Sequence, residues 1–171
     1  MDGPPPLKFY LASKENKQSS RETGKVTFAG GYLILPGSEW TGPMKAYVAG
    51  WTSVRKYVKG TCSVQIAYKY SESDFEKLNE ILASGKISNE EAAKFLSSPN
   101  TNVSSAIVKK IGKRKVVLIE TKTETKLLKT MVTTGNSKEN FTLLKIIFTD
   151  AVSSNGKELN KVLSTTNFVN R

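Results

Sequence analysis

Residues Cys62–Tyr70 read CSVQIAYKY, and their alternation decides the fold class. Cys62, Val64, Ile66, Tyr68 and Tyr70 fall on one side of an extended chain and Ser63, Gln65, Ala67 and Lys69 on the other, because successive strand residues point to opposite faces. The pattern predicts a strand buried on one face. It runs straight into helix signals. Ser73 with Glu76 reads as a capping box, Phe75, Leu78, Ile81 and Leu82 supply an apolar stripe, and Gly85 stops the helix. A second box, Ser88 with Glu91, opens a helix that buries Ala92, Phe95 and Leu96 and ends before Pro99.

Outward from this strand–helix–helix unit, both flanks read as strands. Upstream, VTFAGGYLIL follows Lys25 and predicts a first strand or hairpin, with Gly30-Gly31 as its bulge or turn. The next stretch, PGSEWTGPMKAYVAGW, crowds Gly and Pro at its start and leads into a short helix or strand around Lys45 to Tyr57. Downstream, AIVKKI and VVLIETKT flank the polar link Gly112-Lys113-Arg114-Lys115 and predict a hairpin. KLLKTMVTT and FTLLKIIFT flank Gly135-Asn136-Ser137-Lys138 and predict another, and Lys157 to Leu163 suits a terminal helical turn or two. The sum is an α+β single domain, an antiparallel sheet of hairpins with two or three short helices, over residues 25–171. Residues 1–24, with Pro4-Pro5-Pro6 and a charged run lacking apolar period, read as a flexible basic tail.

Composition narrows the chemistry. The 171 residues include no histidine, one cysteine, and 26 Lys+Arg against 15 Asp+Glu, a net charge of +11. Imidazole is the one side chain that titrates near neutrality without tuning, and structural zinc sites need four Cys or His ligands, so neither an enzyme nor a metal or other cofactor site is expected. Cys62, a lone cysteine in an alternating strand, is expected to be a small buried hydrophobe. Gly30-Gly31 lacks a phosphate-loop continuation. Glu72, Asp74, Glu76, Glu80, Glu90 and Glu91 cluster at helix starts, where carboxylates complement the helix dipole. No apolar run approaches membrane-spanning length and the first 25 residues lack a signal-peptide core, so a cytosolic or nuclear protein is expected.

The charge is unevenly spread. Residues 71–100 carry three basic and six acidic residues, whereas 107–129 carry eight basic and two acidic ones. The second segment contains Lys109, Lys110, Lys113, Arg114 and Lys115, which are expected to form a basic hairpin tip that meets phosphates of anionic lipid or RNA. Lysines on an edge strand also discourage sheet-to-sheet aggregation, which is the plainer reading. The segment has no Phe, Tyr or Trp for stacking on bases. Aromatic residues gather instead at Trp40, Tyr47, Trp51 and Tyr57, beside Lys45, Arg55, Lys56 and Lys59, a mixture suited to a membrane interface, a protein contact or a core.

The start GPPPLKFY and the passage KGTCSVQIAYKYSESDFEKLNEIL resemble the matrix proteins of rhabdoviruses, in particular the short basic ones of plant-infecting, cytorhabdovirus-like members. The resemblance covers about a third of the chain. It implies a non-enzymatic viral matrix protein that bridges anionic membrane and ribonucleoprotein in virion assembly and budding. Its implied partners are an anionic membrane surface, viral nucleocapsid or RNA, further copies of itself, and the viral glycoprotein. Its implied location is the virion, the host cytoplasm and the inner face of membranes. It points to Lys8, Lys14, Lys17 and Arg21 in the tail, with Lys109, Lys110, Lys113, Arg114 and Lys115, as electrostatic contacts. Pro4-Pro5-Pro6 is followed by Leu7 and Lys8, a departure from the Pro-Pro-x-Tyr motif that animal-infecting relatives often carry. The alternative reading is a small viral accessory RNA-binding protein, such as a movement protein or silencing suppressor.

Overall fold

A computed structural model describes residues 24–96, 102–135 and 140–170. Its centre is the strand that opened the sequence reading, β5 (Cys62–Tyr70). Upstream lie β1 (Lys25–Phe28), β2 (Gly31–Ile34), β3 (Thr41–Lys45) and β4 (Thr52–Lys59). Downstream follow α1 (Glu72–Ser84), α2 (Asn89–Ala93), β6 (Val103–Ile111), β7 (Arg114–Lys122), β8 (Lys126–Thr134), β9 (Thr142–Ala151), α3 (Lys157–Ser164) and β10 (Asn167–Phe168). The architecture is α+β. A seven-stranded antiparallel sheet has the order β3-β4-β5-β9-β8-β7-β6, and a three-stranded sheet has the order β10-β2-β1. Two meanders, β3-β4-β5 and β6-β7-β8-β9, meet where β9 pairs with β5. The α1–α2 connection carries the chain over one face of the sheet, from β5 near its middle to β6 at its edge.

Each face of the large sheet has its own core. Val64, Ile66, Val116, Met131, Leu144, Ile146 and Phe148 pack under the small sheet and α3, against Leu33, Leu159, Val162 and Phe168. On the other face, Ala67, Val117, Ile119, Val132, Leu143 and Ile147 pack under Phe75, Leu78, Ile81 and Leu82 of α1 and under Ala92 and Phe95. This corrects the expected one-face burial of β5. Ala67 is as fully buried as Ile66 beside it, because the helix that β5 leads into folds back over its second face.

The helix starts differ by one detail. The N-cap of α1 is Ser71, not Ser73: its side chain accepts from the Asp74 N–H at 3.3 Å, and its own N–H donates to the Phe141 carbonyl at 3.1 Å. The expected box at Ser88 forms, with Glu91 N–H donating to Ser88 Oγ at 3.0 Å and Ser88 N–H donating to Glu91 Oε1 at 2.9 Å. These bonds hold the Glu91 carboxyl below its ordinary pKa. Gly85 ends α1 in the left-handed region, φ 75°.

The ambiguous stretch after Gly50 is strand β4, and the Gly30 region is a β1–β2 hairpin as expected. Gly31 is needed there, since a Cβ would collide with the Asn167 carbonyl where β10 crosses close. Gly24, expected in the tail, already belongs to the fold, its carbonyl accepting from Leu35 N–H at 2.9 Å.

Candidate anion-binding surface

The β6–β7 hairpin is tighter than the sequence suggested. Ile111 pairs with Arg114, so the turn is the two residues Gly112-Lys113, with Gly112 at φ 62° in the position where a type II′ turn favours glycine. Arg114 and Lys115 therefore belong to β7, and the pleat distributes the charges. Lys110 and Lys115 sit directly opposite each other across the two strands, while Lys109 faces the other way beside Ile111 and Ile107. Lys109, Lys110, Lys113 and Lys115 are exposed, and none has an ion-pair partner among the described residues. Two lysines elsewhere are ion-paired. Lys59 contacts Glu39 at 3.6 Å and Glu158 at 3.4 Å, and Lys69 contacts Asp74 at 2.7 Å.

Arg114 is a correction. It is only 5% exposed, its guanidinium donating to the Thr134 carbonyl at 2.8 Å and the Ala29 carbonyl at 3.3 Å and lying 5.0 Å from the Phe168 ring centre. Burial lowers its pKa from the ordinary value. It is a structural cation that joins the large sheet to the small one. The hairpin end is likewise anchored, because Lys113 N–H donates to the Phe168 carbonyl at 2.8 Å. Lys8, Lys14, Lys17 and Arg21 lie outside the described residues.

The aromatic segment does not form one surface. Trp51 and Tyr57 are buried, and they belong to the cores of opposite sheet faces. Trp40 packs against the core beneath the small sheet. Tyr47 alone of these four is strongly exposed, at 84%. Arg55 is used internally, donating to the Thr27 carbonyl at 2.9 Å.

Sequence reasoning missed Lys145, in the middle of β9. It is 1% exposed, and its Nζ donates to the Phe95 carbonyl at 2.6 Å and lies 4.7 Å from the Trp51 ring centre. Desolvation, with a smaller contribution from nearby Lys69, pulls its pKa down to about 8. The ammonium satisfies a carbonyl just beyond α2 that the helix leaves without an intrahelical donor. The signal was present: a lysine interrupting LLKIIF, a run otherwise apolar on both faces, marks a charge that must find a partner inside. Cys62 is buried and its thiol pKa is pushed up to about 12 by desolvation and by Asp150 and Glu158, so it stays protonated and a poor nucleophile at neutral pH.

Among the described residues no group of three or more His, Cys, Asp or Glu side chains is placed to hold a metal ion, and no helix is long and apolar enough to cross a membrane. The chain matches no known family model and no curated protein sequence.

Proposed function

We propose that this chain is a non-enzymatic structural protein that binds an anionic membrane surface through the β6–β7 hairpin. In line with its resemblance to rhabdovirus matrix proteins, it acts as a matrix protein that joins that membrane to viral ribonucleoprotein, in the virion and at the inner face of host membranes. The observation that carries this reading is the clustering on one hairpin of four exposed lysines, unpaired among the described residues. Lys109, Lys110, Lys113 and Lys115 stand exposed at one corner without carboxylate partners among the described residues, while Lys59 and Lys69 are neutralised. Each lysine near an anionic lipid surface contributes about 1 kcal/mol, so four act as a useful patch without any lipid pocket. Their splitting over both faces and the turn suits an edge-on approach, in which the sheet corner rather than a face meets the headgroups. Lys8, Lys14, Lys17 and Arg21 of the N-terminal segment would add charge to the same contact. Self-association and contacts with nucleocapsid and the viral glycoprotein belong to the same proposal.

The test is flotation of the full chain with anionic and with neutral vesicles across a salt series, beside competition with single-stranded RNA. Flotation with anionic vesicles alone, weakening as salt rises, is expected. Absence of flotation with tight, salt-sensitive RNA binding would replace this reading with the accessory RNA-binding protein.

A further inference from the structure

A cavity of about 330 Å³ opens on the α1-covered face of the large sheet, lined by Lys56, Ser63, Thr125, Lys126 and Thr149 together with backbone around Gly60. Strand register fixes its floor. Ser63 of β5 lies directly opposite Thr149 of β9, flanked by Val58 of β4 and Leu128 of β8. Adjacent strands are about 4.8 Å apart, which sets the two hydroxyls side by side with room between them for one tetrahedral anion, each donating to a different oxygen. Neither hydroxyl bonds another protein group among the described residues. Lys56 stands two residues inward from Val58 along β4, and Lys126 two residues outward from Leu128 along β8. They therefore flank the hydroxyl pair from opposite corners, without carboxylate partners among the described residues.

Asp150 also borders the cavity, but its Oδ1 accepts from Thr61 Oγ1 at 2.6 Å and Ala151 N–H at 2.7 Å. As the residue after Thr149 it points to the other face, toward Cys62. We infer that this cavity binds a phosphate group, with Ser63 and Thr149 donating to its oxygens from the floor and Lys56 and Lys126 supplying the balancing charge. The site goes beyond the membrane reading and is separate from the hairpin. Lys126 begins β8, whereas Thr134, whose carbonyl accepts from Arg114, ends it, about 27 Å away along an extended strand.

The experiment is a nitrogen–proton correlation titration of the full chain with inorganic phosphate and, separately, glycerol 3-phosphate, with chloride holding ionic strength constant. Saturable shifts are expected at Gly60–Ser63, Thr125, Lys126 and Thr149, with Lys109–Lys115 unmoved. The pair Ser63→Ala/Thr149→Val weakens binding about a hundredfold, since each of the two lost hydrogen bonds to a charged group costs about tenfold, and Lys56→Gln/Lys126→Gln weakens it at least tenfold. The same spectra report whether each variant is folded, and should the hydroxyl pair unfold, the lysine pair decides.

Equal affinity for the two probes identifies phosphate itself as the ligand. Stronger binding of glycerol 3-phosphate, joined by loss of phosphatidic acid vesicle binding in the lysine pair, identifies a lipid headgroup. Shifts confined to Lys109–Lys115, shifts reproduced by chloride, or unchanged affinity in folded variants would overturn the site, whatever the flotation result.

Discussion

Strands β9 and β6 belong to one sheet, are of nearly equal length and both carry lysine in an apolar run, yet they use it in opposite ways. TLLKIIFTDA lies between β5 and β8 with both faces covered, and Lys145 within it is sealed against Phe95 and Trp51. VSSAIVKKI lies at the edge, and Lys109 and Lys110 within it are open to solvent beside Ile107, itself 50% exposed. The difference teaches that position in the sheet order, not local composition, decides whether a lysine becomes a structural strut or a charge free to meet an external anion. Arg114 makes the same point over a single residue step: Lys113 projects from the turn while Arg114, next to it, is buried between sheets.

The comparison is broken most severely in the core. Lys145→Ala removes a buried stem and leaves the Phe95 carbonyl without this donor, and is expected to cost about 2–4 kcal/mol in chemical denaturation. Lys145→Met, which keeps the stem, recovers most of it, and Lys110→Ala at the edge stays within about 0.5 kcal/mol of wild type. A loss in Lys110→Ala equal to that in Lys145→Ala would abolish the distinction. Next in size, Arg114→Ala removes the cation between β7, the β1–β2 turn and Phe168, and is expected to destabilise by about 1–3 kcal/mol. Lys113→Ala should be nearly silent in the same melts.

The smallest effect is on pH. Lys145 has a folded pKa of about 8, below its ordinary 10.5, so between these values the unfolded chain binds more protons and stability rises with pH. Cys62 is shifted the other way, to about 12, so from pH 9 upward its folded form holds the extra proton and stability falls. In a Cys62→Ala background, raising the pH from 7 to 9 is therefore expected to stabilise the protein by about 1 kcal/mol. Adding Lys145→Met flattens that rise. A rise that survives the second substitution would assign the linkage to another group.

The parts of this fold that were legible in the sequence are those set by neighbours in the chain. Alternation in Cys62–Tyr70 shows its strand, the stripe Phe75, Leu78, Ile81 and Leu82 shows the buried side of α1, and Ser88 with Glu91 shows the second helix start. What was hidden depends on distant partners. Ser71 outcompetes Ser73 as N-cap because β5 ends against Phe141, 70 residues downstream, whose carbonyl takes the Ser71 N–H. Arg114 is buried by Ala29 and Phe168, which arrive from the two ends of the domain, so a string of basic residues gave no hint that one of them faces inward. The candidate surface was legible as a charge concentration and illegible as a shape, since pairing of Ile111 with Arg114 shortens the turn and divides the lysines between faces. Lys145 was visible as an anomaly in LLKIIF, but its partner carbonyl belongs to a segment 50 residues upstream.

The most direct measurement is salt-series flotation of the variant Lys109→Gln/Lys110→Gln/Lys113→Gln/Lys115→Gln with anionic vesicles, beside wild type and beside the single variant Lys113→Gln, with denaturation curves for all three. At about 1 kcal/mol per lysine, the fourfold variant is expected to lose about three orders of magnitude in low-salt membrane partitioning while its stability stays near wild type, and Lys113→Gln to lose about fivefold. A stably folded fourfold variant that floats as well as wild type, with the same salt dependence, would contradict the assignment of these four lysines as the membrane contact.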